Sequence, residues 1–482
     1  MIIVAIGRVA QFILLLLTLR LATTFLSPAE MGKVSIITAT VAFFALLFLN
    51  PVGMFMNRRL HAWDAKGLVR SNLEYFWRYL LLINLISALT IIGLTQLNVW
   101  SPSMSLGWLL FLVCGNLAFG TLNQVVIPGL NLLGHRAWFT ILTVATASTS
   151  LICALLLVYV EPPSAEYWSL GLLAGQLIVG LLGLTIFFSK IKQVNIISSI
   201  PIKLSSSHYK NILHFSWPIA IAVGLGWIQN QGYRYFMETH LGLTELGLFV
   251  AGYGISAGLI SGFDSIFVTY FQPKFYKQIS LDNIQQQSEA WIEYAQAILP
   301  ALLLTSVFIM ATAPELTQLL LGTAYKSSSQ FVIWGAIAEL ARVSTGVFSL
   351  VAQARMNTKL LLWPNLMGAI LSITLIWFLA PDYGSSGVGF GLTFAAIITL
   401  LLSVQITKSN LKITLPYKFF LKSILAGGGL LLAAEVLRWE LSGNGSLFLA
   451  VVRLSVIGLC FLVFQYIMLI PVLRREAALT QP

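Results

Sequence analysis

The stretch "LATTFLSPAEMGKV" (residues 21–34) has a counterpart 215 residues further along the chain, "METHLGLTELGLF" (residues 237–249). Each core has Leu, a small residue, two other residues, Glu, an apolar residue and Gly, and each follows an arginine, Arg20 or Arg234. Glu favours a helix N-terminus and Gly permits close packing, so shared turn chemistry accounts for the local pattern. Its recurrence with the preceding arginine predicts, in addition, that the chain contains an internal duplication.

The composition predicts a membrane protein. The chain has 482 residues, of which 58% are hydrophobic and only 9% charged, whereas soluble domains carry about 25% charged residues. The pI near 9.6 would suit nucleic acid, but the basic residues fall in short loops between apolar runs and not on one continuous face. We therefore expect the partners to include membrane lipids and not nucleic acid.

Motifs for catalysis, metal binding and nucleotide hydrolysis are missing from the sequence. Cys114, Cys153 and Cys460 lie in apolar runs without Cys-x-x-Cys spacing, and the five histidines form no paired ligand motif. No phosphate-binding Gly-x-x-x-x-Gly-Lys-[Ser/Thr] stretch is present. We predict no cofactor, no metal site and no catalytic residue, and hence that the protein is not an enzyme.

Apolar runs of about 20 residues predict an all-α, polytopic membrane protein. The first run lacks the basic start and cleavage site of a signal peptide, so it is interpreted as a retained span. Fourteen spans are predicted, at residues 3–27, 32–55, 75–97, 106–133, 138–160, 168–189, 211–239, 246–271, 291–313, 328–352, 359–380, 386–407, 418–438 and 446–470.

The loop charges predict the orientation of these spans. With both termini in the cytoplasm, nearly all Lys and Arg residues outside the spans fall in inner loops, as the positive-inside rule requires. The outer loops are short and carry mainly acidic residues, which argues against a large catalytic domain outside the membrane. The repeated phrase then lies at the outer turn after span one and again at the outer turn after span seven.

Six spans separate the two copies of the phrase. Because six is an even number, both copies enter the membrane in the same direction, which indicates a parallel repeat. We predict an N-terminal lobe at 1–189 and a C-terminal lobe at 211–407, two pseudo-symmetric lobes of six helices each. The cytoplasmic linker is 190–210, and 408–482 holds a C-terminal helix pair and a cytoplasmic tail.

Several stretches resemble the polysaccharide exporters, the Wzx-type O-antigen flippases of the multidrug/oligosaccharidyl-lipid/polysaccharide superfamily. The resemblance covers nearly the whole chain, although its motifs are degenerate. Span seven departs from the family at Tyr233, where many relatives look like Asp before the arginine. The stretches that carry the likeness are "RLATTFLSPAEMGKVSIITATVAFF" (20–44), "HFSWPIAIAVGLGWIQNQGYRYFMETHLGLTELGLFVAGYGIS" (214–256), "FVTYFQPKFYKQI" (267–279) and "LLLGTAYKSSSQFVIWGAIAEL" (319–340).

The resemblance implies a function in the bacterial inner membrane. Family members carry an undecaprenyl-pyrophosphate-linked oligosaccharide from the cytoplasmic to the periplasmic leaflet, through a cavity between two lobes in a MATE-like fold. It also implies a polysaccharide polymerase and a chain-length regulator as partners. Lipid II flippases and cation-coupled multidrug exporters share this fold and stay open as alternatives, and a membrane polymerase or glycosyltransferase is a weaker one.

Charged residues inside spans are candidate site residues because they are costly in a bilayer and usually face a cavity. Arg20 and Arg234 lie near the outer ends of spans one and seven and Arg8 near the inner end of span one, and we predict that their guanidinium groups bind pyrophosphate. The local alternatives are snorkelling of the arginines to the outer interface and an ion pair between Arg234 and Glu238.

Three more intramembrane charges are candidates for ion coupling or ion pairing. Asp264 lies in span eight and would pair with Arg8 if their helices adjoin. Glu339 and Arg342 are three residues apart in span ten and so share one helix face. They form either a structural ion pair or part of a coupling site, because burial can allow a carboxyl group to bind a proton near neutral pH.

Overall fold

The computed structural model describes residues 2–191, 206–279, 284–354, 358–411, 413, 417–440 and 447–479. Regular structure in these ranges is helical throughout, with no strand. The helices are α1 (Ile2–Phe25), α2 (Pro28–Phe44), α3 (Asn50–Ala65), α4 (Val69–Gln96), α5 (Leu106–Gly115), α6 (Thr121–Leu132), α7 (Arg136–Val160), α8 (Ala165–Lys190), α9 (Ser206–Gln231), α10 (Tyr233–His240), α11 (Leu243–Ile279), α12 (Ile284–Ala311), α13 (Ala313–Leu320), α14 (Ser329–Ala354), α15 (Leu362–Asn410), α16 (Tyr417–Glu440) and α17 (Leu447–Leu479).

Twelve helical segments of the described chain are long and apolar enough to cross a membrane. One of them, Lys359–Ser409, contains a reversal at Gly384, where φ is +55° and ψ is −139°. The two arms pack against each other, since a Cβ at Gly387 would meet the carbonyl oxygen of Leu379. Dividing this segment in two gives thirteen, and the remaining predicted span, 211–239, is not among the segments found in the described residues. The all-α, multi-pass fold is thus confirmed.

By their contacts the described residues group into two compact units. The first unit comprises residues up to 18 and 25–247, and the second comprises 19–24 and 248 onward. Contacts therefore assign α9 and α10, the predicted span seven, to the first unit and the end of α1 to the second. The six-span repeat with lobes 1–189 and 211–407 stays a prediction, because contact grouping does not report which spans are related. Most of the predicted linker 190–210 lies outside the described residues.

The first copy of the repeated phrase builds the turn from α1 into α2. Ser27 is the N-cap of α2, and its hydroxyl accepts a hydrogen bond from the Glu30 backbone N–H. Pro28 occupies the first helical turn, where its missing N–H is no loss. The Glu30 carboxylate pairs with Lys33 at 2.8 Å and accepts the N–H of Ala165, the first residue of α8, at 2.7 Å. A carboxylate at this helix start is favoured by the helix dipole.

The two copies of the phrase pack directly against each other. A Cβ at Gly32 would overlap the carbonyl of Leu243, and a Cβ at Gly247 would overlap the carbonyl of Pro28. Pro28 and Leu243 occupy the same position of the phrase, as do the two glycines, so the contact is reciprocal. An approximate two-fold axis between the first turns of α2 and α11 produces such a pattern. The glycine shared by the two copies is thereby explained by close approach.

Each unit has an apolar core at which several helices meet. In the first unit, the end of α3, the start of α4, the end of α6, the start of α7 and the end of α8 surround one cluster that includes Leu60, Leu73, Val126 and Phe187. In the second unit, α12, α16 and α17 meet around Leu304, Leu430 and Ile457. The C-terminal pair α16–α17 is therefore packed on α12.

We expect Gly247→Ala to destabilise the protein, because the added methyl group meets a backbone carbonyl that has no room to move. Overpacking of this kind costs about 1–3 kcal/mol. Gly254→Ala in the same helix is the matched control, since nothing lies within 4 Å of its Cβ position, and Ala favours a helix over Gly by about 1 kcal/mol. Thermal unfolding in detergent measures both. Equal melting temperatures for the two variants would show that the glycine contact is dispensable.

Candidate functional site: charged residues within the spans

Arg20 lies five residues before the end of α1, where the helix contacts the turn after α13. Its Nη1 donates a hydrogen bond to the carbonyl oxygen of Gln318 at 3.2 Å. Among the described residues no carboxylate lies within ion-pair distance, and no other acceptor contacts the guanidinium group. Arg20 therefore keeps its charge and most of its N–H donors without a protein partner in the part of the chain that is described.

Arg234 has a similar environment six residues before the end of α10. Its Nη1 donates to the carbonyl oxygen of Ser35 at 3.0 Å, its Nε lies 3.4 Å from the Tyr233 hydroxyl, and the guanidinium carbon is 5.8 Å from the Tyr233 ring centroid. Within the described ranges it too lacks a carboxylate partner. A backbone carbonyl and a ring orient this side chain while leaving its positive charge unneutralised.

The alternative that Arg234 pairs with Glu238 is wrong. Glu238 instead accepts hydrogen bonds from the indole N–H of Trp100 at 3.0 Å, from the backbone N–H of Ser103 at 3.1 Å and from the Ser103 hydroxyl at 2.6 Å. These bonds hold the turn before α5 against α10. Glu238, the expected counter-ion of Arg234, is thus hydrogen-bonded to other groups.

The end of α1 makes an equivalent contact in the second unit. Thr23 precedes the first phrase by three residues, as Glu238 precedes the second. Its hydroxyl accepts the backbone N–H of Gly322 at 3.0 Å, and Gly322 approaches the Thr23 backbone so closely that a Cβ would not fit. Gly322 begins the turn before α14, six spans after Ser103. Both arginines therefore lie about one helical turn before a side chain that accepts a backbone N–H from the loop before another predicted span.

Arg8 is exposed near the start of α1. Its Nη1 donates to the Gln11 side chain at 3.1 Å, and its guanidinium carbon lies 5.7 Å from the ring centroid of Phe139. The pairing of Arg8 with Asp264 stays a prediction. Asp264 itself lies within electrostatic range of Arg342.

Glu339 and Arg342 form the predicted ion pair on α14. Glu339 is buried, and its Oε2 accepts hydrogen bonds from both Nε (2.7 Å) and Nη2 of Arg342. Tyr253 on α11 donates its hydroxyl to the other carboxylate oxygen at 3.2 Å, while Arg342 Nη2 also reaches Ser261 at 3.5 Å. With Asp264 nearby, two acids and one base form a polar cluster between α11 and α14.

A second buried ion pair escaped the sequence analysis. Glu315 on α13 is 2% exposed and accepts hydrogen bonds from Arg438 of α16 at 3.1 and 3.0 Å, with Arg453 of α17 at 3.7 Å. Arg438 also contacts Glu435. The lone arginine in the apolar run of span fourteen was the available signal. This cluster fastens the C-terminal helix pair to α13.

Aromatic side chains near Arg234 have structural contacts. The indole N–H of Trp227 donates to the carbonyl oxygen of Ala39 at 3.0 Å, and the Tyr235 hydroxyl bonds the Thr40 hydroxyl at 2.8 Å. The ring of Tyr235 also packs edge-on against Trp100. In the described part of the chain, His, Cys, Asp and Glu side chains nowhere gather in threes as a metal site would need.

The fold is that of a multi-pass membrane protein. Arg20 in α1 and Arg234 in α10 have no carboxylate partner among the described residues. No protein-family model matches the chain, and no curated protein matches its sequence. Solved structures share the fold at low identity. The lipid II flippase MurJ in an inward closed conformation has a TM-score of 0.66 at 15% identity, over 98% of this chain and 100% of that one.

Two transporters of the MOP superfamily are also similar. An inward-facing multidrug resistance MATE family transporter has a TM-score of 0.62 at 14% identity, over 84% of this chain and 98% of its own. A transporter from Pyrococcus furiosus, described as having a binding pocket of reverse polarity, has a TM-score of 0.50 at 14% identity over 85% of this chain and 96% of its own. At these identities the likeness establishes a MurJ- and MATE-like fold. The proteins named are flippases and transporters.

The ion pair on α14 generates a stability prediction. Glu339→Gln should destabilise the protein by about 1–3 kcal/mol, because the Arg342 guanidinium loses its charged acceptor; the partial exposure of Arg342 (41%) limits the loss. The double variant Glu339→Gln, Arg342→Gln should recover much of the lost stability, since an unpaired buried charge costs more than a lost ion pair. Thermal unfolding of the purified single and double variants tests this. A double variant that is no more stable than Glu339→Gln would contradict the prediction.

Proposed function

We propose that this protein is a flippase for undecaprenyl-pyrophosphate-linked oligosaccharide repeat units of O-antigen or another surface polysaccharide. It resides in the bacterial inner membrane with both termini in the cytoplasm. It moves the lipid-linked unit from the cytoplasmic to the periplasmic leaflet without making or breaking bonds. A polysaccharide polymerase and a chain-length regulator would act on the unit afterwards.

One observation carries the proposal: Arg20 and Arg234, both within predicted spans, bond to backbone carbonyls and have no carboxylate partner among the described residues. An arginine at a helix centre costs about 2.5–3.5 kcal/mol to insert, so a carboxylate partner would be expected if its role were structural. Glu339 with Arg342 and Glu315 with Arg438 show that this chain does pair other intramembrane arginines. Unpaired guanidinium groups suit the bidentate binding of a pyrophosphate.

Lipid II flippase is the second candidate. MurJ covers 98% of this chain, whereas the MATE transporter covers 84%, so the fold extends beyond that of the drug transporter. Lipid II carries the same undecaprenyl pyrophosphate as an O-antigen unit, and the arginines would serve either substrate. A multidrug exporter is less well supported, because unneutralised cations inside the spans favour an anionic substrate.

Ion-gradient coupling would fall to the cluster between α11 and α14. Glu339 accepts three hydrogen bonds and Asp264 lies near the same arginine. Protonation of either carboxyl group would weaken its interaction with Arg342 and alter the contact of the two helices. A folded Glu339→Gln, Arg342→Gln variant that keeps its full response to a pH gradient would exclude coupling through this pair.

The arginines give the direct test of the binding site. We expect Arg20→Gln and Arg234→Gln each to reduce export roughly 10–100-fold, the equivalent of losing a charge-assisted bond of about 1.5–3 kcal/mol. Gln removes the charge and keeps a polar side chain at the position. Lys in place of either arginine should restore part of the activity. The readout is the amount of surface polysaccharide divided by the amount of protein inserted in the membrane.

Normal export by the double variant Arg20→Gln, Arg234→Gln would contradict the proposed binding of pyrophosphate by these arginines. The Arg453→Gln variant is a useful contrast, because Arg453 already lies near the Glu315 carboxylate. The Arg453→Gln substitution should lower the melting temperature, whereas export per folded molecule should stay close to that of the wild-type protein.

Deletion of the gene tests the function itself and separates the two substrates. The undecaprenyl-linked repeat unit should accumulate in the cytoplasmic leaflet, and surface polysaccharide should disappear. An impermeant sugar-binding lectin should then detect the unit in spheroplasts only after permeabilisation. Accumulation of lipid II in place of the repeat unit would favour the second candidate. Abundant repeat unit already exposed on the periplasmic face would mean that a polymerisation step, and not flipping, had been lost.

A further inference from the structure

One end of the first unit carries a concentrated positive charge, which we call the basic end. The end of α3, the start of α4, the start of α7 and the end of α8 meet there around the apolar cluster that contains Leu60 and Phe187. Two acidic residues lie on these segments, Asp64 and Glu74. Seven basic residues do, and all are exposed: Arg58, Arg59, Lys66, Arg70, Arg78, Arg136 and Lys190.

Most of these cations have no counter-ion. Apart from Arg58, none of the seven has a carboxylate within ion-pair distance among the described residues. Three arginines are instead placed over aromatic rings: Arg59 over Phe55, Arg70 over Phe188 and Arg78 over Tyr75, at 5.5–5.8 Å from the ring centroids. An arginine in such a contact keeps its charge and loses conformational freedom. The three guanidinium groups therefore each have a contact with a ring that leaves their charge available to a ligand.

Tryptophans accompany the cations at the same end. Trp63 and Trp77 are half-buried against the apolar cluster, and Trp138 is 40% exposed. Tryptophan is enriched at the level of lipid headgroups, where one side of the ring is apolar and the other is wet. Indole rings beside unpaired arginines match the chemistry of a lipid headgroup layer more closely than that of a water-facing loop.

We propose that the basic end binds the headgroups of anionic phospholipids in the leaflet where it lies. The general preference for basic residues in cytoplasmic loops accounts for their presence during insertion. It does not require the folded protein to place them over rings without a carboxylate at ion-pair distance among the described residues. Basic clusters at the membrane surface attract anionic lipids, by about five-fold in affinity for each residue. The proposal does not depend on which substrate is transported.

The experiment measures phospholipid binding to the purified full-length protein by native mass spectrometry. The probes are phosphatidylglycerol and phosphatidylcholine. The wild-type protein should bind phosphatidylglycerol more tightly, and raising the ionic strength should reduce the difference. The Arg59→Gln, Arg70→Gln, Arg78→Gln triple variant should lose phosphatidylglycerol affinity by at least about tenfold with phosphatidylcholine binding unchanged.

Two further variants keep the test decisive. Lys66→Gln, Arg136→Gln, Lys190→Gln removes three cations of the basic end that contact no ring, and it should weaken phosphatidylglycerol binding even if the first variant folds poorly. Lys359→Gln, Lys418→Gln, Lys422→Gln is the matched control, because it removes three exposed cations of the second unit. It should change affinity less than about two-fold.

Three results would overturn the proposal. One is a wild-type protein that does not distinguish phosphatidylglycerol from phosphatidylcholine. Another is an equal loss in the control variant, which would show that net charge alone attracts the lipid. The third comes from undecaprenyl pyrophosphate as a probe: if the variants of the basic end lose this ligand but keep phosphatidylglycerol, the surface serves the transported lipid and not the bilayer.

Discussion

The contact between the first turns of α2 and α11 is the interaction on which the other features depend. Two glycines, Gly32 and Gly247, allow each helix start to touch the backbone of the other at equivalent positions. A Cβ at either position would lie within 2.4 Å of a carbonyl oxygen of the other turn, so the turns and the residues that precede them would have to shift. Those residues include Arg234, whose hydrogen bond to the carbonyl of Ser35 joins α10 to α2. Close backbone packing thus positions a cation that would otherwise be free to snorkel.

Backbone contacts explain why an arginine can stay in a span without a carboxylate. Arg20 and Arg234 each bond to a carbonyl oxygen, which orients the guanidinium group but does not cancel its charge. Glu238, which could have cancelled the charge of Arg234, is bonded to Trp100 and Ser103. Preorganised donors with unneutralised charge suit an anion that binds and leaves, because no internal ion pair has to be broken at each cycle.

The paired charges have a different physical role. Glu339 with Arg342 links groups on α14 to Tyr253 of α11, and Glu315 with Arg438 and Arg453 links α13 to α16 and α17. In a bilayer the apolar surfaces of helices gain little from mutual contact, so polar side chains and small residues decide which helices adhere. The C-terminal pair is accordingly held by buried polar bonds as well, such as that from Gln465 to the carbonyl of Ala301. The proposed ion coupling would use a contact that already joins two helices.

The sequence by itself determined the helical class, nearly every span and the repeated phrase, because about 20 apolar residues have only one way to satisfy their backbone in lipid. It also marked Arg20, Arg234 and Glu339 with Arg342, since charges within apolar runs are visible without coordinates.

The groups that these charged side chains contact were decided by the tertiary structure. Glu238 was one helical turn from Arg234 and so a reasonable counter-ion, yet the turn before α5, 135 residues away, supplies its three donors. Arg453 was visible as a lone charge, but its proximity to Glu315 follows from the packing of α17 on α13. Spacing along one helix predicts neighbours on that helix, whereas contacts between helices depend on packing that no local pattern encodes.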